Sequence, residues 1–178
     1  MKKLFFIVFV VLMLTFVSVS AQETAVKEIN WSDVAEAVEK SGIEGAFYDI
    51  SDIGLMMWIP AVMNDMELTE EDMADGMVAF LATDDGDGIV VVNYMDLEGS
   101  TLDDGYEGLL EDPSYTDVEM GYINGLKALS YTVPESNMLG ISFEDEDGYM
   151  AQFLFYPISD EGFAQVASIM AASIQESK

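Results

Sequence analysis

Three pairs of apolar segments, each pair separated by a short turn of acidic, Asn or Gly residues, restrict the fold of this chain more than any other feature. The segments lie at residues 77–83 and 89–95, 118–123 and 126–133, and 138–143 and 149–156. Turns of this composition connect neighbouring antiparallel strands, and Asn124-Gly125 is the strongest two-residue hairpin signal. The sequence therefore predicts three β-hairpins in a mainly antiparallel sheet.

Further strands and helices are predicted on either side of these hairpins. Asn30 and Gly42 bound a predicted helix, because apolar residues recur between them at helical spacing. Two short apolar segments, 46–50 and 55–59, predict strands, and Pro60 ends the second. The remaining helices are predicted to begin at three N-cap residues, Thr69, Thr101 and Ser159.

Several predicted strands are apolar at consecutive positions, as in Ile89-Val90-Val91-Val92. A sheet with one face in water would alternate apolar and polar residues, so both faces of this sheet are expected to be covered. The predicted fold class is α+β, with a mainly antiparallel sheet of about 6–8 strands and helices on both faces, an α/β/α sandwich. Residues 30–178 are predicted to form one domain, because no internal repeat and no long linker divides them.

The first residues have the composition of an export signal. Lys2 and Lys3 precede an unbroken apolar segment at 4–14, and Val19-Ser20-Ala21 has the small residues of a cleavage site. The apolar segment is shorter than the roughly 20 residues that a membrane span needs. We expect residues 1–21 to be a cleaved signal peptide and 22–29 a short tail. The protein is then exported, periplasmic or extracellular, without a stable membrane anchor; the alternative is an uncleaved anchor helix.

The ionisable composition excludes several function classes. The chain has 34 Asp and Glu residues against 6 Lys, and it has no Arg, His or Cys. It can therefore form no Ser-His-Asp triad, cysteine nucleophile, disulfide, or imidazole or thiolate zinc site. Loss of residues 1–21 removes two lysines and no acid, which changes the net charge from −28 to −30. Such a charge repels nucleic acid and anionic lipid, and attracts cations and basic proteins.

A family resemblance rests on the second half of the chain. The turn Ile123-Asn124-Gly125-Leu126-Lys127-Ala128 is followed by a strand that ends near Tyr131, then by the closing hairpin and the C-terminal helix. With the order of the earlier elements, this resembles the Mog1/PsbP-like fold over residues 44–176. The resemblance implies an antiparallel sheet between helices. It implies no activity, because the family includes a photosystem subunit and a nuclear-transport factor whose functional residues match no position here.

The acidic turn at 84–88 is the candidate metal site. Asp84, Asp85 and Asp87 supply carboxylate oxygens, which are the ligands that Ca²⁺ prefers. An EF-hand is excluded, because Thr83 rather than a carboxylate would take the first loop position. The alternative is a solvated hairpin turn, since such turns commonly contain Asp-Gly. The sequence predicts no cofactor, apart from the Ca²⁺ that this turn has the ligands to bind.

Methionine is concentrated in one part of the sequence. Six of the 13 methionines lie within 22 residues, at Met56, Met57, Met63, Met66, Met73 and Met77. Thioethers bind Cu(I), so a copper site is one interpretation. Consecutive strand residues such as Met56 and Met57 point to opposite faces, which favours the other interpretation, filling of the core by adaptable side chains.

These observations predict a non-enzymatic, acidic domain that binds a protein, a polymer or a cation through its surface. No catalytic residue is predicted. The alternative is a small carboxylate-dependent hydrolase, which would need two buried acids in a cleft, beside an aromatic platform such as Trp58 or Tyr94. A third interpretation is that the acidity only keeps the protein soluble.

Overall fold

The computed structural model describes residues 27–177, so the predicted signal peptide at 1–21 lies outside the described residues. The helices are α1 (Trp31–Ser41), α2 (Glu70–Ala74), α3 (Leu102–Glu111) and α4 (Glu161–Ala172). The strands are β1 (Lys27–Ile29), β2 (Gly45–Ile50), β3 (Leu55–Pro60), β4 (Met63–Asp65), β5 (Met77–Thr83), β6 (Ile89–Asp96), β7 (Thr116–Ile123), β8 (Leu126–Val133), β9 (Met138–Glu144), β10 (Tyr149–Tyr156) and β11 (Gln175–Glu176). The α+β class and the three hairpins are confirmed.

The strands form two sheets rather than one. An eight-stranded sheet has the order β1-β7-β8-β9-β10-β6-β5-β4, and it is antiparallel except where β1 runs parallel to β7. The strands β2 and β3, which we expected to join this sheet, instead form a three-stranded sheet with β11, in the order β11-β3-β2. The physical reason is that one face of the smaller sheet, with Ile50, Leu55 and Met57, packs into the core of the larger one.

Three strands were not predicted from the sequence. β1, β4 and β11 have three, three and two residues, too few to show a pattern of alternation. β1 includes the last residues of the segment expected to be a tail at 22–29, and its Ile29 lies opposite Ile123 of β7. Each of these strands is fixed by its partner rather than by its own sequence.

Two of the four predicted N-cap residues are confirmed together with their capping hydrogen bonds. The hydroxyls of Thr69 and Thr101 accept hydrogen bonds from the backbone N–H groups of Asp72 and Asp104. The carboxylates of these two Asp residues in turn accept hydrogen bonds from the backbone N–H groups of the two Thr residues, so both helix starts are complete capping boxes. Asn30 is at the N-cap of α1, but its side chain makes no capping hydrogen bond. The prediction of Ser159 as the last N-cap is wrong by one residue.

Asp160 is the N-cap of α4. Its carboxylate accepts a hydrogen bond from the N–H of Phe163 at 2.7 Å. The hydroxyl of Ser159 is otherwise engaged, because it accepts a hydrogen bond from the side-chain amide of Asn137 at 2.5 Å. A carboxylate also suits the positive end of the helix better than a hydroxyl does.

Asn124 joins three distant segments. It forms the β7–β8 turn with Gly125, and both have the positive φ angles that this turn needs, 51° and 85°. Its side-chain oxygen accepts the N–H of Trp31 at 2.5 Å and so replaces the missing cap of α1. Its side-chain NH₂ donates to the carbonyl oxygens of Ala172 and Ile174, at 3.0 and 2.7 Å, where α4 ends.

Apolar side chains form one main core and two smaller clusters. The main core combines both sheets with α4 and includes Phe153, Phe155 and Met170, which are fully buried. A second cluster places Leu102 of α3 against Leu129 and Tyr131 of β8. In the third, Val38 of α1, Trp58 of β3 and Ile169 of α4 pack together.

Candidate functional site

Acidic side chains cover the surface. Every Asp and Glu between residues 27 and 177 is exposed, except Asp72, which is half-buried. The buried polar residues in this range are Ser142 and Ser173, and the hydroxyl of Ser173 accepts the N–H of Trp58 at 2.7 Å. The negative charge of the described residues is therefore presented to solvent rather than to an enclosed site.

The lysines of the described residues neutralise little of this charge. Lys27 contacts Glu119, Lys40 contacts Glu36 one helical turn away, and Lys127 donates to Asp103 at 2.7 Å. The contact between Lys40 and Glu36 lowers the pKa of the Glu36 carboxyl, first through the hydrogen bond and then through the charge. Since each lysine lies beside an acid, the remaining carboxylates keep their charge uncompensated.

The turn with Asp84, Asp85 and Asp87 is held by its own hydrogen bonds. Asp84 accepts from the side-chain amide of Asn64 at 2.8 Å. Asp85 accepts from the hydroxyl of Thr83 at 2.6 Å and from the N–H of Asp87 at 3.2 Å, and these bonds lower the pKa of its carboxyl. The carboxylates of Asp84 and Asp85 thus act as turn-forming groups with separate partners, while Asp87 takes part through its backbone N–H.

The same turn lines a cleft beside the start of α4. The cleft has a volume of about 260 Å³, and Asp85, Asp87 and Asp160 are among its lining residues. Asp160 caps α4 and Asp85 holds the turn, so two of its three carboxylates already have hydrogen-bonding roles. In residues 27–177 no three carboxylates come close enough together to hold a metal ion.

The six clustered methionines do not share one location. Met57 and Met63 are buried in the main core, as the core-filling interpretation expects. Met56 and Met77 are half-buried, and Met66 and Met73 are exposed. Methionines that are close together in the sequence therefore differ in how deeply they are buried.

An apolar groove lies between α4 and the β7 side of the large sheet. It has a volume of about 200 Å³, and its lining includes the small residues Gly121, Ala128 and Ala171. The contact between Lys27 and Glu119 lies at the same groove. These small side chains leave space for an apolar group but supply few polar groups to select one.

Trp58 and Tyr94, the two aromatic residues that the sequence suggested as platforms beside a cleft, lie in different environments. Trp58 is buried with 6% of its surface exposed. Tyr94 stacks on Tyr149 with ring centroids 5.0 Å apart, and its hydroxyl donates to Asp145. That hydrogen bond is the first of several causes, before burial and nearby charge, that raise the pKa of Tyr94 to about 12.

A second aromatic group lies at the free edge of the small sheet. Phe47 of β2 has 41% of its surface exposed, and its ring packs edge-on against Trp31 with the centroids 5.6 Å apart. Trp31 also contacts Trp58, at 6.1 Å. Gly45 has no side chain, and the ring of Trp58 lies over it so closely that a Cβ there would be 2.3 Å from a ring carbon. Gly45, Phe47 and Asp49 of β2, together with Trp31 of α1, form the surface at this edge.

Between residues 27 and 177 no helix is both long enough and apolar enough to cross a membrane. No protein-family model matches the chain, and no curated protein matches it. Solved structures do resemble it. The solution structure of cyanobacterial PsbP (CyanoP) from Synechocystis sp. PCC 6803 superposes with a TM-score of 0.52 at 15% sequence identity, over 76% of this chain and 94% of that one.

A crystal structure from Bacteroides thetaiotaomicron VPI-5482 has a TM-score of 0.42 at 15% identity, over 70% of this chain and 46% of that one. This chain thus spans less than half of the Bacteroides protein. The first comparison defines the class: the chain has a PsbP-like α+β fold. The resemblance predicted from the Asn124-Gly125 turn and the closing hairpin is confirmed at the level of the fold, and at this identity it extends to the fold alone.

Proposed function

We propose that this protein is an exported, non-enzymatic binding domain whose acidic surface recognises a cationic partner, such as a basic protein or polymer. The observation that carries the proposal is the exposure of nearly every carboxylate between residues 27 and 177, while each lysine there lies beside an acid. A surface of one sign accelerates association with oppositely charged partners and repels those of its own sign.

The pKa shifts of the carboxyl groups support binding over hydrolysis. A general acid needs a carboxyl pKa raised toward neutral pH, usually by burial or by a neighbouring carboxylate. Within residues 27–177 the carboxyl pKa values that depart from the ordinary range are lowered, at Glu36, Asp72, Asp85, Asp104 and Asp145. These groups favour the charged form, which suits attraction of a cation.

The proposed architecture is a large sheet with helices on both faces. Ala128 and Leu129 are consecutive in β8, and successive strand side chains point to opposite faces. Ala128 belongs to the core that contains α4, whereas Leu129 belongs to the cluster that contains α3. This division supports opposite positions for α3 and α4.

The first residues of the sequence support the proposal that the protein is exported. Lys2, Lys3 and the apolar segment 4–14 precede the small residues Val19-Ser20-Ala21. The proposal predicts that the protein recovered from the periplasm or the medium of an expressing bacterium begins at Gln22. Intact mass measurement checks this, and a recovered chain that still carries residues 1–21 would contradict it.

The binding proposal is tested with three fluorescent decapeptides, rich in Lys, rich in Glu, or neutral. We expect the purified protein to bind the Lys-rich peptide alone at about 20 mM salt, and its Kd to rise at least tenfold by about 200 mM, because salt screens exposed charges. Failure to bind the Lys-rich peptide at low salt, or equal binding of the neutral one, would exclude the proposed function.

A further inference from the structure

The four sheet edges of the described residues are protected unequally. An exposed edge strand can pair with another chain, and proteins usually protect such edges by short length, charge or bulges. β1, β4 and β11 have at most three residues each, and they include Lys27, Asp65 and Glu176 respectively. Where β7 extends past β1, its register shifts and Asp117 has a φ angle of 52°, which indicates a bulge.

The strand β2 has none of these protections except one acid. It is six residues long, its register with β3 is unbroken, and its segment contains neither Pro nor Lys. Its outer side pairs with no strand among residues 27–177. The exposed side chain of Phe47 lies in the middle of this edge.

The hydrogen-bonding groups that point outward from β2 can be identified. The N–H of Ala61 donates to the carbonyl of Glu44 at 2.8 Å, which makes this a hydrogen-bonded pair of the antiparallel ladder. Such pairs alternate with pairs whose backbone groups face away. Phe47 is opposite Trp58, and the N–H of Trp58 points away from β2 to Ser173. The N–H and C=O groups of Gly45, Phe47 and Asp49 therefore face the free edge.

The side chains at this edge specify the chemistry of a partner. Phe47 presents an apolar surface backed by Trp31, while Asp49, two residues further on, lies on the same face and is exposed. Glu44 and Asp52 are exposed at the two ends of the strand. Residues 44–52 contain no basic side chain. A partner strand would need an apolar residue beside Phe47 and a Lys or Arg beside Asp49, two positions apart.

From this geometry we propose that β2 binds an extended segment of a basic protein, which adds a strand to the small sheet. This inference rests on the proposed function and names the surface and the partner class for it. Backbone hydrogen bonds to Gly45, Phe47 and Asp49 provide the affinity, and the apolar and basic residues at alternate positions provide the selectivity. A second copy of this chain is disfavoured, because each carries a large negative charge.

The test uses a labelled octapeptide with Val and Lys in turn at every second position and Thr between them. A control peptide of the same charge has its two Val residues replaced by Pro, which is apolar but cannot donate the backbone hydrogen bond that the residue opposite Phe47 donates in an antiparallel pair. In the protein, F47K introduces a positive charge at the edge, and Y122K is the matched control, since Tyr122 is exposed to a similar extent on β7. Thermal unfolding checks that both variants fold.

We expect the peptide to bind the unmodified protein at least tenfold more tightly than the Pro control, and F47K to weaken binding about tenfold while Y122K changes it less than threefold. A second variant, D49K, keeps the aromatic group and should shift preference toward a peptide with Glu in place of Lys. On binding, the amides of Gly45, Phe47 and Asp49 should gain protection from hydrogen exchange.

Two results would overturn the inference while leaving the proposed function in place. One is equal binding of the Pro control; the other is equal weakening by F47K and Y122K, and both indicate charge attraction without strand addition. Self-association of the protein that F47K abolishes would overturn it as well, by making a second copy the occupant. If no basic peptide binds even at low salt, the proposed function fails together with the inference.

Discussion

At the scale of single residues, Asn124 does more than its turn signal predicts. An Asn-Gly pair in a hairpin requires only a positive φ angle. The side chain of Asn124 also bonds the N–H of Trp31 and two carbonyls at the end of α4, contacts 93, 48 and 50 residues away. The sequence predicts the turn because its requirements are local. It does not predict the long-range hydrogen bonds, because their partners are backbone groups that every residue has.

The variant N124G separates these two roles. Glycine keeps the backbone conformation and removes the side-chain hydrogen bonds, which we expect to destabilise the fold by about 2–4 kcal/mol. The matched control is N137G, since Asn137 also has a positive φ angle, 58°, but its side chain makes a single bond to exposed Ser159. Its cost should be below about 1 kcal/mol. Urea unfolding measures both, and equal costs would contradict the role of Asn124.

The hydroxyl of Tyr94 should ionise later than that of an ordinary tyrosine. Its hydrogen bond to Asp145, then burial and nearby charge, raise its pKa from 10.0 to about 12. A raised pKa in the folded state contributes stability that is complete below pH 10 and is lost as the pH rises toward 12. In D145N we expect the pKa of Tyr94 to fall toward 10.

Tyrosinate absorbance during an alkaline titration measures that change. Tyr48 is the internal reference, because burial and then Asp65 raise its pKa to about 12 independently of Asp145. The titration of D145N should therefore show one late-ionising tyrosine fewer, while Tyr48 and Tyr131, whose pKa values burial raises, still ionise late. If D145N titrates as the unmodified protein does, Asp145 is not the cause of the shift.

At the scale of elements, the sequence predicts hairpins and helix starts well because turn and cap chemistry involves adjacent residues. It does not predict the division into two sheets. The division depends on the strands that pair with β3, which are β2 on one side and β11 on the other. The strand β11 has only two residues, so its sequence does not reveal this pairing. The free edge of β2 was missed for the same reason. An apolar segment such as 46–50 indicates a strand but does not indicate whether both of its sides are paired.

Substitution by alanine should change the stability of the protein in opposite directions at two glycines, Gly140 and Gly108. A Cβ at Gly140 of β9 would be 2.2 Å from the ring of Tyr131, so G140A should displace that ring and destabilise the protein by about 1–3 kcal/mol. Gly108 in α3 has nothing within 4 Å of a Cβ. Alanine favours a helix over glycine, so G108A should stabilise by about 0.5–1 kcal/mol.

Urea unfolding of the two variants tests how the elements pack. The m-value should be unchanged in both, since neither substitution alters the surface exposed on unfolding. A neutral G140A would mean that Tyr131 does not lie over β9. A destabilised G108A would mean that α3 makes contacts through its exposed face.

At the scale of the whole molecule, the charge should dominate the response to salt. Like charges on one surface repel, so any salt should raise the midpoint of thermal unfolding. At matched high ionic strength we expect Ca²⁺ and Mg²⁺ to give the same midpoint, because Asp84 and Asp85 have separate hydrogen-bonding partners and no three carboxylates of residues 27–177 meet at a shared centre. A specific site at 100-fold excess over its Kd would add about 5–10 °C. A rise of that size with Ca²⁺ alone would make the turn a metal site.

The central claim is that the acidic surface recognises a partner and does not serve only for solubility. The most direct measurement compares the Val-Lys octapeptide with a peptide of equal charge in which Ser replaces Val, across a range of salt concentrations. We predict that both bind at low salt, and that at about 0.5 M salt only the Val-Lys peptide still binds, because its apolar contacts are not screened. Binding curves that coincide at every salt concentration would mean that charge alone attracts the peptides, and binding of neither peptide at low salt would contradict recognition by the acidic surface.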